Sequence, residues 1–75
     1  MLLDLTEHSP EPRRSQITRQ VRSKILRGDV EDGALLPPPR AIARTHHVPA
    51  LAAAQAFDAL IAEGLLPDGA GGFRP

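Results

Sequence analysis

Apolar residues recur through the chain at the spacing of short helices that share one core. Ile17, Val21 and Ile25 stand at i, i+4 and i+8, with Leu26 beside them. This puts an apolar stripe on a first helix predicted from about Arg13 to Arg27. Gly28 is its expected stop, and Arg27 suits the negative end of the helix dipole. Residues 29–36 read as a loop, with a turn at Gly33 and a short strand expected at Ala34–Leu36. Pro37, Pro38 and Pro39 then lead into a short second helix, about Pro39 to His46, with Ile42 and Ala43 facing inward. Proline is tolerated in a first helical turn because the N–H it lacks has no partner there. His47 and Val48 form a turn. A third helix is predicted from about Ala50 to Glu63, with Ala53, Ala56, Phe57 and Leu60 on one face, Ile61 at its edge and Gly64 as its stop. Leu65, Leu66, the turn at 68–72 and Phe73 predict a small hairpin of very short strands.

This order, a longer helix, two short helices joined by a tight turn, then a glycine-rich hairpin, is that of a winged helix-turn-helix. The expected fold class is mainly α, with three helices and a short C-terminal β-hairpin wing. In that design the second helix of the pair enters the major groove of DNA. Residues 13–75 form the expected domain. Residues 1–12 form an N-terminal arm expected to be disordered or loosely docked, because Pro10 and Pro12 discourage helix and its charges are mixed.

Size and charge qualify this picture. Seventy-five residues make a marginal domain, so a homodimer, or a heteromer with another regulator, is expected to supply the missing burial. There is no cysteine, hence no disulfide framework and no thiolate metal site. Asp4 breaks the apolar start of the chain and no basic leader precedes it, so no secretion signal is read. No apolar run approaches the roughly 18 residues of a membrane span. A cytoplasmic location follows, at the nucleoid if the chain binds DNA. Nine basic and nine acidic residues leave no net charge, whereas nucleic-acid-binding domains usually carry a basic excess. The distribution is polarised, however. Arg13, Arg14, Arg19, Arg22, Lys24 and Arg27 fall in one acid-free segment, and Asp29, Glu31 and Asp32 follow it. The basic helix is either a solvated face that pairs with acids such as Glu31 and Asp32, or a phosphate-contacting one.

The residues also resemble a known family. Gln16-Ile17, Val21, Ile25-Leu26, Gly28, Val30, Gly33, Leu36-Pro37, Arg40, Ile42-Ala43, Val48, Ala56-Phe57, Leu60 and Glu63-Gly64-Leu65-Leu66 look like the N-terminal domain of GntR-type bacterial transcription regulators. The usual form there is Q-I … I-x-x-G-x-L-x-x-G-x-x-L-P-S-x-R-x-L-A … V-S-R-x-T-V-x-x-A-Y-x-x-L-x-x-E-G-L-I, then G-x-G-T-F-V. The resemblance implies a homodimeric winged helix, operator double-stranded DNA as ligand, and a C-terminal effector domain that has no counterpart in these residues.

Carried over position by position, the family's DNA contacts are thinned. Arg40 matches the arginine that opens helix two and reaches phosphate or base. The family's serine two residues earlier falls on Pro38, and its polar turn residue on Pro49. Ala50, Leu51 and Ala52 stand where arginine or proline, asparagine or threonine, and threonine are usual. The core valine falls on Ala53. The wing keeps Gly69, Gly71 and Phe73, with Gly72 in place of threonine, and the segment leading to it is about two residues shorter than usual.

The candidate DNA contacts are therefore Arg40, Arg44, His47, Gln55, Gly69 and Gly71. Arg40 and Arg44 are one helical turn apart and point the same way. Gln55 suits an adenine edge, and alanine or leucine a thymine methyl. The alternative is a protein partner on the apolar face of helix three, through Ala50, Leu51, Ala54 and Asp58, since a small apolar face fits a protein and Asp58 repels phosphate. Adjacent His46 and His47, with His8 far off in the arm, make a poor metal site. The glycines at 69–72 precede no helix and lack the Walker lysine, so they do not cradle phosphate. No catalytic constellation, cofactor motif or small-molecule effector site is read.

Overall fold

The computed structural model describes residues 1–31 and 33–67. Three helices are present, α1 (Arg13–Leu26), α2 (Pro39–His46) and α3 (Ala50–Ala62). α3 packs against both α1 and α2. The core is drawn from all three and from the segments between them. Ile17 and Val21 come from α1, Leu36 from the loop, Ile42 and Ala43 from α2, Ala53, Ala56, Phe57 and Leu60 from α3, and Leu66 from beyond it. The apolar stripe of α1 is narrower than expected. Ile25 is partly buried and packs on the core, but Leu26 is 68% exposed, because its place in the helical repeat turns it away from the side that carries Ile17, Val21 and Ile25.

Proline opens each helix. Pro12, Pro38 and Pro49 are the N-caps, and no side chain caps any of the three. Their carbonyls serve instead, accepting from Ser15 and Gln16, from Ala41 and Ile42, and from Ala52 at 2.9–3.2 Å. The helices end alike. The N–H groups of Asp29, Val48 and Leu65 reach back to the carbonyls of Lys24, Ala43 and Leu60 at 2.9–3.0 Å. This six-residue closure requires a left-handed residue just before the donor. Gly28 and Gly64 supply it at φ 78° and 79°, and His47 supplies it at φ 54°. A histidine thus holds the turn between α2 and α3 in a conformation glycine takes more readily.

Two sequence expectations need correction. Among the described residues there is no strand, so neither Ala34–Leu36 nor Leu65-Leu66 is one. The Leu65 N–H is used in closing α3, and Leu36 and Leu66 are turned into the core. The rest of the expected wing, Gly69, Gly71, Gly72 and Phe73, lies outside the described residues, as does Asp32.

The arm runs along α1 and is tied to it. Buried Gln16 accepts from the Thr6 N–H at 2.9 Å and donates to the carbonyls of Thr6 and Glu11 at 2.8 and 2.7 Å. Gln20 makes the same reciprocal pair with Asp4, at 2.7 Å each way. Met1, Leu3 and Leu5 pack against the core. A side-chain amide offers one acceptor and two donors, which is what an extended backbone running past it can use.

Candidate nucleic-acid interface

The helix α3 presents two different sides. Ala53, Ala56, Phe57 and Leu60 are buried, while Ala50, Leu51, Gln55 and Asp58 are exposed and Ala54 is half-buried. Leu51 is 67% exposed. The first two turns of this helix stand as a ridge between two open grooves. One, of about 300 Å³, is lined by Pro38, Pro39 and Arg40 from the α2 side and by Ala50 and Ala54. The other, of about 270 Å³, is lined by Pro12 and Arg14 from the α1 side and by Pro49, Leu51 and Gln55. A third groove, of about 450 Å³, continues along α1 and again includes Arg14 and Gln55. Gln55, a candidate for an adenine edge, sits at the α1 edge of this ridge. Leu51 and Ala54 occupy the middle.

The basic residues of α1 separate into two groups. Arg13 pairs with Glu7 at 3.3 Å, Arg19 with Glu11 at 2.8 Å, Arg22 with Glu63 at 2.7 Å and Arg27 with Asp29 at 3.4 Å. Hydrogen bonds from Arg19 and Arg22 hold the carboxyls of Glu11 and Glu63 below the ordinary carboxylate range, against a smaller desolvation effect. The sequence suggested Glu31 and Asp32 as partners. Glu31 forms no ion pair among the described residues, and the acids that do pair there come mainly from the arm and from the end of α3. Arg14 and Lys24 form no ion pair with a described residue, and neither do Arg40 and Arg44 on α2. Arg14, Arg40 and Arg44 are exposed. Most of the α1 charge is thus neutralised within the fold, and Arg14 and Arg40 remain on the two sides of the α3 ridge.

Arg14 was not singled out in the sequence. Arg13 lines the same groove at the start of α3, but it is paired with Glu7 of the arm and Arg14 is not, and that distinction depends on the path of the arm. Asp58 lies two turns beyond Leu51 on the same exposed side. It confines any anionic partner to the first two turns of α3.

The two adjacent histidines do different things. Nε2 of His46 accepts the Leu3 N–H at 3.0 Å, and Nδ1 lies 3.0 Å from the Ile42 carbonyl. With Nε2 accepting, Nδ1 carries the hydrogen that is donated to the Ile42 carbonyl. Both nitrogens are engaged. Among the described residues no group of three His, Cys, Asp or Glu side chains is placed to hold a metal ion. His47 is exposed in the turn between α2 and α3.

No family model matches the sequence, and no curated protein matches it either. Solved structures do match. One is YtrA from Sulfolobus acidocaldarius, a GntR-family transcription factor, with a TM-score of 0.87 and 25% identity over 96% of this chain. This chain spans 62% of the length of that one. In a chain of three proline-started helices, this likeness extends the resemblance read in the sequence to the fold, which is that of a GntR-type N-terminal winged-helix domain.

Proposed function

We propose that this chain is the DNA-binding module of a transcription regulator and that it works as a homodimer, without catalytic activity of its own. The first two turns of α3 enter the major groove, as the second helix of a helix-turn-helix does. Arg40 and Arg44 on α2 and Arg14 on α1 take the phosphates on either side, with His47 in the turn beside them. Gln55 offers its amide to a base edge from the α1 side of the ridge. Function of this kind places the protein at the nucleoid. The observation that carries the reading is the position of Arg14 and Arg40, each without an ion pair among the described residues, on opposite sides of an exposed helix. A protein partner on Ala50, Leu51, Ala54 and Asp58 is the less favoured reading, because cations on both flanks match the two phosphate strands of a duplex.

The test is duplex binding by single alanine variants across a salt series. Arg14→Ala, Arg40→Ala and Arg44→Ala should each lower affinity and reduce the salt slope by about one unit. Arg19→Ala, whose guanidinium is held by Glu11, should leave the slope as it is. Slopes unchanged in all three variants would remove the proposed interface.

A further inference from the structure

The centre of the α3 ridge has no hydrogen-bonding side chain. Leu51 projects there with two thirds of its surface exposed, flanked by Ala50 and Ala54. Such a face is costly to place against most base edges. The exocyclic amine of cytosine and the O6 and N7 atoms of guanine would lose water and gain no partner, and an unsatisfied polar group pressed against an aliphatic side chain is destabilising. One feature of the major groove suits it, the C5-methyl group of thymine. The arginines beside both grooves make the flanks complementary to a polyanion, which selects DNA over an apolar protein surface as the occupant.

We propose that Leu51, with Ala50 and Ala54, selects operator DNA by the 5-methyl groups of thymine, so that sequence is chosen at this position by apolar contact with a group that only A·T pairs carry rather than by hydrogen bonding. The inference rests on the DNA-binding reading above. It differs from it in naming what is read and which side chain reads it.

Uracil isolates the claim, because it keeps every hydrogen-bonding group of thymine and lacks only the methyl. Duplexes retained by the protein at low salt would be selected from a random pool, and the selected sites resynthesised with deoxyuridine at each thymine in turn. At one or more positions the replacement should weaken binding by about fourfold, the effect of one buried methyl. Leu51→Ala should erase most of that difference and keep the salt slope that Arg14 and Arg40 supply. Leu51 is exposed, so this variant should fold normally. Selected sites that bind equally well with uracil throughout, or that place only G·C pairs against the ridge, would overturn methyl recognition and leave DNA binding standing. Retention of no duplex at all would overturn both.

Discussion

The guanidinium of Arg22 donates two hydrogen bonds, 2.8 and 2.7 Å long, to the carboxylate of Glu63, across 41 residues of sequence. This pair fastens the middle of α1 to the residue that caps α3. It also neutralises one positive charge of α1, as the pairs of Arg13 with Glu7 and Arg19 with Glu11 do.

The hydrogen bonds from Arg22 depress the Glu63 pKa below its ordinary value of 4.5. A group whose folded pKa is depressed adds stability above its unfolded value and loses it as pH falls through the folded one. Glu63→Gln should therefore lower Tm slightly at neutral pH, the pair being half-exposed and screened. Variant and parent should converge once the pH is well below 4.5. Thermal melts from neutral pH into acid check this, and a gap that persists in acid would contradict it.

Gln16 fixes the arm. Gln16→Leu keeps the side chain buried but leaves the Thr6 N–H and the carbonyls of Thr6 and Glu11 without their partner. Loss of a buried hydrogen-bond partner costs about 1–3 kcal/mol. The arm can recover part of this by swinging into water, so the loss should fall in the lower half of that range. Amide exchange should then rise at Thr6 and stay unchanged at Ile42, in the core helix α2. Equal protection of the arm in both proteins would show that Gln16 does not hold it.

His47 closes α2 at φ 54°, where a side chain costs about 1 kcal/mol relative to glycine. His47→Gly should raise stability by about that amount, or roughly 4–8 °C in Tm for a domain of this size. Chemical and thermal unfolding of the variant checks the sign. A destabilised variant would mean that the imidazole makes contacts worth more than the strain. If His47 also touches phosphate, the same variant will be more stable and bind DNA less tightly.

Much of the fold is legible in the sequence because its signals are local. Ile17 and Val21 declare the buried side of α1, and Pro39, Pro49, Gly28 and Gly64 bound the helices within a residue of where they lie. The failures concern contacts between distant residues. Gln16 is legible as part of the family pattern, but its hold on the arm shows only once the arm lies across it. The α1 arginines are sorted by Glu7, Glu11 and Glu63, the last of them 41 residues from its partner, so spacing alone could not separate Arg14 from the others. The candidate site is legible in the same measure. Arg40 and the apolar start of α3 follow from position in the helix pair, whereas Arg14 and the position of Gln55 at the α1 edge depend on how α1 and α3 pack.

DNA binding by α3 and its flanking arginines is tested most directly by the salt dependence of duplex affinity, measured by fluorescence anisotropy between about 50 and 200 mM salt. Three phosphate-contacting arginines per protomer predict a slope of log K against log salt of about −3 per protomer, since each neutralised phosphate contributes about −0.9. Binding of that steepness, reduced stepwise by the three alanine variants, is the expected result. Absence of binding at the lowest salt, or an affinity indifferent to salt, would contradict it.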